Sequence, residues 1–244
     1  MAMRRLAAGG MLGMAMLAVP PAAQAQARDC RVPAVLPRPA IDGPDAGQPR
    51  RDIPTGGYTL AMSWSPQYCR TRTNSPADRF QCGDGGDRFG FTLHGLWPDG
   101  RGEQWPQYCR PAALLPEKVI RANLCATPSV QLLQHEYAKH GTCMNMPPEA
   151  YFRTSTGLYG KLRFPDMAAL SRQPGLNARK LAEALAAANR GTDASMWRIA
   201  TTRGGWLDEV RLCLDMGLKP KRCRASEQGA KPKETVRIWR GGRR

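Results

Sequence analysis

The stretch that decides the fold is GYTLAMSWSPQYC, residues 57–69. Its apolar side chains recur at every second position: Tyr58, Leu60, Met62 and Trp64. A period of two is typical of a β-strand that buries one of its faces. We therefore expect the hydrophobic core of the protein to begin at this strand.

A second segment, FGFTLHGLWP (residues 89–98), has the same extended pattern, after a polar, glycine-rich stretch that predicts a loop over residues 70–87. Its apolar residues alternate on one side of the predicted strand: Phe89, Phe91 and Leu93. His94 falls on the opposite face, where the strand is predicted to end.

Helical patterns follow the two strands. Ser129 is suited to cap a helix that runs through VQLLQHEYAKH (residues 130–140) and that Gly141 would end. The remaining predicted elements are helices over residues 112–124, interrupted at Pro116, near residues 147–159 and over residues 177–190, and a late strand over residues 204–215. Strands and helices mix without a regular βαβ alternation, which predicts a single α+β domain with a central antiparallel β-sheet flanked by several α-helices.

The two ends of the chain differ from this domain in composition. Residues 1–27 carry two arginines, an apolar run and small residues before a cleavage site, which predicts a signal peptide; an uncleaved N-terminal anchor is the alternative. Residues 28–56 predict an irregular Pro-rich leader, and residues 226–244 a basic C-terminal tail. Since no later segment is apolar over the ~20 residues of a transmembrane helix, we expect an exported protein, periplasmic or secreted, without membrane insertion after cleavage.

Eight cysteines suit an exported chain and predict a disulfide-stabilised domain with four bridges. The sequence alone allows many pairings and does not choose among them. No CxxC pair occurs, which removes the usual basis for a zinc ribbon or a thioredoxin-like redox site.

The chain carries a formal net charge of +16. Between Lys219 and Arg244, ten basic residues stand against two acidic ones. Such an excess favours polyanionic partners, nucleic acid above all, because each neutralised phosphate releases condensed counterions. The alternatives are a basic surface that serves only solubility or adhesion, and a solvated tail in place of one that adds affinity for nucleic acid.

The short stretch HEYAKHGTC (residues 135–143) holds two of the three histidines of the chain, and the third is His94. On a helix with ~100° per residue, its four polar side chains fall within about 140° of one another: His135, Glu136, Lys139 and His140. The histidines are five positions apart, whereas a zincin motif needs them at i and i+4, so the spacing argues against a metal site. An exposed polar helix face with i,i+4 pairs is the other alternative.

Two imidazoles, a carboxylate and an ammonium group in a basic cleft suit one kind of chemistry. One histidine can take a proton from a hydroxyl group while the other, protonated, gives a proton to a leaving oxygen, and the cations can hold a phosphate. RNA supplies such a hydroxyl group at its own 2′ position, so neither a metal-bound water nor a protein nucleophile is needed. DNA lacks this group and is excluded as a substrate.

FTLHGLWPDG (residues 91–100) and HEYAKHGTC together resemble the two active-site segments of the ribonuclease T2 family of secreted, metal-independent endoribonucleases. YTLAMSWSPQYC, WPQYC and WLDEVRLCLD resemble further parts of the same family, so the resemblance covers about residues 57–225. It implies a catalytic domain over that range that cleaves single-stranded RNA by 2′-OH transesterification. The product, a 2′,3′-cyclic phosphate, would then be hydrolysed.

The resemblance also assigns roles to the polar residues. His94 and His140 match the two catalytic histidines, commonly described as general acid and general base respectively. Glu136 and Lys139 match the pair that stabilises the pentacoordinate phosphorane, and His135 matches a residue that helps to bind phosphate. In the second step the two histidines would exchange roles, with water as the nucleophile.

Three further residues match family positions that contact a base. Trp97 and Asp99 match those that stack on and hydrogen-bond the base on the 5′ side of the cut, and Trp105 lies where some members place a second stacking aromatic. Stacking tolerates any base, which predicts low base specificity; a core position is the alternative for Trp97. Tyr137 departs from the family pattern, which usually has tryptophan after His-Glu, and we expect its side chain to point away from the catalytic face.

The family pattern implies four disulfides, of which the last is the pair left over: Cys69–Cys82, Cys109–Cys143, Cys213–Cys223 and Cys30–Cys125. The Cys109–Cys143 bridge would clamp the catalytic helix to the segment after His94.

The sequence therefore predicts a monomeric endoribonuclease that takes RNA as its partner and needs neither a metal nor another cofactor. The rival hypothesis is an exported binding protein that captures RNA or another polyanion without turnover. The intact histidine pair argues against this rival, because binding alone needs charge and aromatic rings but no acid–base partners.

Overall fold

A computed structural model of the protein describes residues 30–83, 89–225 and 229–242, so the predicted signal peptide lies outside the described residues. Four strands form one antiparallel sheet in the order β2-β1-β4-β3: β1 (Thr55–Trp64), β2 (Phe91–Gly100), β3 (Trp197–Thr201) and β4 (Leu207–Leu214). The predicted α+β class with a central antiparallel sheet is confirmed.

Seven helices flank this sheet in the described residues: α1 (Ser65–Cys69), α2 (Arg79–Cys82), α3 (Glu117–Asn123), α4 (Val130–Lys139), α5 (Pro148–Lys161), α6 (Met167–Arg172) and α7 (Ala178–Ala188). Helix α4 begins where the sequence predicts, because the Ser129 hydroxyl accepts a hydrogen bond from the Leu132 amide at 3.2 Å. Within the described ranges, no helix has both the length and the apolar character needed to cross a membrane.

The two faces of the sheet differ in polarity. One face is the core face, where Leu60 pairs with Leu212 and Met62 with Val210, and all four side chains are buried. The opposite face, here called the cleft face, carries polar residues at the alternate positions. They are Thr59 and Ser63 of β1, Trp97 of β2, and Glu209 and Arg211 of β4.

Strand β2 continues past its predicted end, through Pro98 to Gly100. It can do so because it is an edge strand that pairs only with β1, so the missing amide of Pro98 leaves no ladder bond unmade on the outer side. The predicted loop over residues 70–87 also contains α2, and β3 had no clear strand signal in the sequence.

The segment after Arg224 differs from the expected tail. Val236 and Ile238 are buried in the core, and the Leu207 amide donates to the carbonyl of Arg237 at 2.7 Å. The Trp64 indole donates to the carbonyl of Trp239 at 2.6 Å. Burial of this apolar pair makes residues 229–242 part of the domain, since their backbone and side chains complete its packing.

Four disulfides join the same pairs that the family pattern implies: Cys30–Cys125, Cys69–Cys82, Cys109–Cys143 and Cys213–Cys223. Residues 30–54, the described part of the leader ahead of β1, are called the N-terminal arm below. The arm forms neither helix nor strand, and Cys30 ties its start to the domain.

Candidate active site

Helix α4 presents its polar residues to a cleft because its other side packs into the core. Leu133 and Ala138 are buried, and the Tyr137 hydroxyl donates to the carbonyl of Met146 at 3.2 Å, away from the cleft. The cleft has a volume of about 390 Å³. All the residues predicted for the site line it: His94, Trp97, Asp99, Trp105, His135, Glu136, Lys139 and His140.

His94 reaches this cleft from a β-bulge. In the pairing of β1 with β2, Ala61 lies opposite Gly95 and Met62 opposite Leu93, so His94 has no residue across from it. A bulge inserts one extra residue into a strand and re-aims its side chain. The bulge thus turns His94 out of the regular alternation, towards α4 and β4.

The imidazole of His94 lies between two carboxylates. Its Nδ1 is 2.6 Å from Oε1 of Glu209, and its Nε2 is 3.4 Å from Oε1 of Glu136. Burial favours the neutral ring, but the hydrogen bond to Glu209 and the charges of both carboxylates outweigh it, so the pKa of His94 is raised above its ordinary value. About a third of the side chain, 32 %, remains exposed to the cleft. His94 is therefore set up to carry a proton that a substrate can reach.

Glu209 is a site residue that the sequence prediction missed. It is buried on the cleft face of β4, and its second oxygen accepts a hydrogen bond from Nε of Arg211 at 2.6 Å. Burial raises the pKa of Glu209, but the bonds and charges of His94 and Arg211 outweigh it and bring the pKa below its ordinary value. A signal was present in WLDEVRLCLD, where two charged residues stand two positions apart in a short strand and so share one face.

Glu136 is the buried carboxylate on α4, with 2 % of its side chain exposed. The Trp97 indole donates to its Oε2 at 2.8 Å. Burial raises its pKa, against the opposing effects of His94, His135, Trp97 and Lys139. Gly95 makes this close approach possible, because a Cβ atom at that position would lie 1.8 Å from Oε2 of Glu136.

His140 has the opposite surroundings to His94. It follows the last residue of α4, is 5 % exposed, and its Nδ1 has no hydrogen-bond partner among the described residues. Burial, and then the positive charges of Lys139, His135 and His94, hold the pKa of His140 well below its ordinary value. His140 is therefore set up to be neutral and to accept a proton.

Lys139 and His135 are the basic residues on the α4 side of the cleft. The Lys139 ammonium group donates to Oε1 of Gln48 at 2.5 Å, and burial lowers its pKa, against the opposing effect of Glu136 and Asp42. Nδ1 of His135 lies 3.1 Å from Oδ2 of Asp42. Both partners, Gln48 and Asp42, belong to the N-terminal arm, which the sequence did not connect with the site.

Trp97 packs between the two histidines of the cleft. Its ring centroid lies 5.0 Å from that of His94 and 5.5 Å from that of His140, and the Arg211 guanidinium group is 5.3 Å from its ring. Its indole N–H is used by Glu136. These contacts let Trp97 hold His94, His140 and Glu136 in position, in addition to the stacking role that the resemblance implies.

Asp99 and Trp105 lie further along the cleft. The Thr59 hydroxyl donates to Asp99, with Oγ1 to Oδ2 at 3.0 Å. Trp105 exposes 44 % of its surface, and the Arg51 guanidinium group lies 4.7 Å from its ring centroid. An exposed indole beside a cleft offers a face on which a base can stack.

The wall opposite α4 adds three arginines to the cleft: Arg198, Arg211 and Arg224. Across the part of the chain that the structure describes, no group of three or more His, Cys, Asp or Glu side chains is arranged to hold a metal ion. The cleft combines two histidines of opposite protonation preference with several cations. Such an arrangement suits acid–base chemistry on a phosphate-bearing substrate.

Comparison with known proteins agrees with this geometry. The sequence profile of the Ribonuclease T2 family matches residues 55–223, and the chain belongs to this family. A probable ribonuclease of Haemophilus influenzae is 32% identical over 126 residues, which cover 46% of this chain and 45% of that protein. A ribonuclease of Aeromonas hydrophila is 36% identical over 114 residues, which cover 47% of this chain and 49% of that protein. The match thus spans about half the length of these two curated relatives.

Among solved structures, trichomaglin, described as a novel S-like ribonuclease, has the same fold. It aligns with a TM-score of 0.60 at 20% sequence identity, over 75% of this chain and 97% of its own. An RNase-related protein from Calystegia sepium aligns with a TM-score of 0.59 at 23% identity, over 75% of this chain and 96% of its own.

Proposed function

We propose that this protein is an exported, monomeric endoribonuclease that cleaves single-stranded RNA without a metal ion and with low base specificity. The observation that carries the proposal is the opposite protonation preference of His94 and His140 across one cationic cleft. Transfer of a phosphoryl group from a leaving oxygen to an internal hydroxyl group needs one neutral base and one charged acid, and the two histidines supply them.

In the first step, the RNA phosphate binds beside His135 and Lys139. Neutral His140 takes the proton of the 2′-hydroxyl group, and the 2′-oxygen attacks the phosphorus. Protonated His94 gives its proton to the leaving 5′-oxygen, which breaks the phosphodiester and leaves a 2′,3′-cyclic phosphate. Lys139 faces the extra negative charge of the pentacoordinate intermediate, and Glu136 faces its hydroxyl groups. Because the site partly excludes water, these contacts are stronger than they would be in solution.

In the second step, water replaces the leaving 5′-oxygen. His94, now neutral, takes a proton from water, and His140, now protonated, returns a proton to the 2′-oxygen. Each histidine ends the cycle in its starting state, so the reaction needs no external acid or base beyond solvent.

The comparisons support RNA as the substrate. A solved relative of this fold, RNase NT, is described in complex with 5′-AMP, at a TM-score of 0.52 and 22% identity. Another, an RNase MC1 mutant, is described in complex with 5′-UMP. In this proposal Trp97, Asp99 and Trp105 are the base-contacting residues, and stacking on the indole rings tolerates any base.

The test is RNA cleavage by purified protein in excess EDTA, followed by analysis of the ends. We expect fragments that end in 2′,3′-cyclic phosphate, and we expect His94→Ala and His140→Ala, purified in the same way, to cleave far more slowly. The rival binding protein would leave RNA intact under these conditions while still retaining it. A metal-dependent nuclease would be silenced by EDTA, and either result would overturn the proposal.

A further inference from the structure

The N-terminal arm reaches two of the residues to which we assign phosphate binding. It precedes residue 55, where the family match begins. Arm residues Asp42 and Gln48 contact His135 and Lys139 respectively.

Asp42 is held by Tyr108, and it in turn contacts His135. Its Oδ1 accepts a hydrogen bond from the Tyr108 hydroxyl at 2.9 Å, and its Oδ2 lies 3.1 Å from Nδ1 of His135. Because a carboxylate accepts hydrogen bonds, Nδ1 of His135 carries the proton in this pair. When a second proton is on Nε2, His135 can donate from that nitrogen to a phosphate oxygen while Nδ1 keeps its bond to Asp42.

Tyr108 is itself held in place by a backbone hydrogen bond to the end of α4. Its amide donates to the carbonyl of Lys139 at 2.8 Å, and its backbone has a φ of 52°, in the left-handed region that a bulky residue rarely adopts. Such a conformation persists only where the surroundings enforce it. The neighbouring Cys109–Cys143 disulfide is one such constraint, and the bond to Asp42 is another.

The arm is anchored on both sides of its two contacts. Before them, Gln131 of α4 exchanges two hydrogen bonds with the backbone of Ala40, at 2.7 and 3.3 Å. After them, Arg51 and Gln107 exchange two backbone hydrogen bonds at 2.9 Å each. Asp42 and Gln48 are therefore presented to α4 by a segment with little freedom to move.

The arm lies behind His135 and Lys139 and does not cover the cleft. The residues that line the cleft come from β1, β2, α4, the segments that follow them and the arginine wall, and none comes from residues 30–54. An inhibitory strap would have to occupy the space that a phosphate needs, whereas Asp42 binds the ring nitrogen of His135 other than Nε2. The arm can therefore support His135 and Lys139 while it leaves both side chains accessible to substrate.

We propose that the N-terminal arm completes the phosphate-binding side of the active site, with Asp42 as a positioning residue for His135 and Gln48 as a positioning residue for Lys139. This proposal rests on the endoribonuclease function proposed above. It makes residues 30–54 part of the catalytic unit in this protein.

The test compares Asp42→Ala with Asp52→Ala in the full chain. Asp52 lies on the same arm and loses the same charge, but its side chain is 65% exposed and contacts only Arg50 among the ion pairs of the described residues. We expect Asp42→Ala to raise KM for single-stranded RNA about fivefold with little change in kcat, because loss of a hydrogen bond to a charged group weakens phosphate binding. Asp42→Asn keeps an acceptor for His135 and should restore part of the loss.

A second readout does not depend on turnover. The chain has three histidines, so the imidazole NMR signals can be assigned by substitution and followed during titration with inorganic phosphate. We expect weaker phosphate binding at His135 in Asp42→Ala than in Asp52→Ala. If wild type does not cleave RNA, the proposed function fails, and this titration still decides the role of the arm.

The proposal is overturned if Asp42→Ala matches Asp52→Ala in both KM and phosphate binding. Faster cleavage by Asp42→Ala would also overturn it, since that result would mark the arm as inhibitory. Should Asp42→Ala not fold, Tyr108→Phe removes only the hydroxyl group that holds Asp42, and it should give a smaller rise in KM of the same sign.

Discussion

His94 and His140 are the same side chain in two opposite settings. His94 lies on the edge strand of the sheet, at a bulge, between the carboxylates of Glu209 and Glu136. His140 lies at the end of α4, buried, beside Lys139 and without a hydrogen bond to its Nδ1 from any described residue. The difference teaches that the neighbouring groups, and not the residue type, decide which histidine holds the proton.

A competing effect shows how strong this difference is. The C-terminal end of a helix favours a positive charge by ~0.3–1 kcal/mol, which would raise the pKa of a histidine placed there. His140 occupies that position, yet its pKa is well below the ordinary value. Burial and nearby positive charges therefore outweigh the helix terminus, and they favour the neutral base that the first step requires.

The largest expected effect separates the two roles by the leaving group. On RNA, we expect His94→Ala and His140→Ala each to lose about 10²–10⁴ in kcat, the usual contribution of a general acid or base. On a nucleoside 3′-(4-nitrophenyl phosphate), whose leaving group departs without a proton, His94→Ala should recover most of its rate and His140→Ala should not. The measurement is release of nitrophenolate by each variant relative to wild type.

The opposite pattern, with recovery by His140→Ala alone, would reverse the acid and base roles. Failure of both variants to recover would mean that His94 does more than protonate the leaving oxygen. Either result would break the link between the surroundings of the histidines and their roles in catalysis.

The next largest effect concerns Glu136, the buried carboxylate that contacts His94. In Gly95→Ala, the new methyl group would overlap Oε2 of Glu136 and push this carboxylate away from His94 and Trp97. We expect kcat/KM to fall about 10–100-fold and stability to fall by about 1–3 kcal/mol, typical of an overpacked site. Steady-state kinetics and thermal unfolding measure the two effects.

Gly157→Ala is the matched control for this change. Gly157 lies within α5, and a Cβ atom there would meet nothing within 4 Å. This control should keep wild-type activity and gain a little stability, because alanine favours a helix more than glycine does. If Gly95→Ala behaves like the control, the close approach of Glu136 to β2 does not matter for catalysis.

The sequence was sufficient for the elements with a clear periodic pattern. Strand β1 alternates apolar residues at every second position, Ser129 caps α4, and the polar residues of HEYAKHGTC share one helix face as the angles require. The resemblance to the ribonuclease T2 family supplied Trp97, Asp99 and Trp105, which line the same cleft. Local spacing suffices for the polar residues of HEYAKHGTC because they lie within α4 or directly after its last residue.

The sequence did not predict what depends on distant pairing. Glu209 meets His94 across 115 positions of sequence, and Asp42 meets His135 across 93. The register of β1 with both β2 and β4 creates the first contact, and the path of a proline-rich arm without regular structure creates the second. Neither leaves a periodic pattern, and the bulge that re-aims His94 appears only once the strands are paired.

The smallest expected effect tests the carboxylate found in this way. Glu209→Gln keeps a hydrogen-bond acceptor for Nδ1 of His94 but removes the negative charge that raises its pKa. Because the proposed mechanism needs His94 protonated, the alkaline limb of the kcat/KM profile of the free enzyme should move to lower pH. We expect a loss of about tenfold on the alkaline side, as for the loss of a charged hydrogen bond, and little change on the acid side.

The acid limb is the internal control, because it reports protonation of His140, which Glu209 does not contact. Glu136 and Arg211 also face His94, with opposite effects on its pKa, and both remain in the variant. Asp208→Asn removes the same charge from an exposed neighbour and should shift the alkaline limb less than Glu209→Gln does. An equal loss at every pH would make Glu209 a packing residue only, whereas a shift of the alkaline limb alone would show that a β4 carboxylate keeps the acid of this site charged.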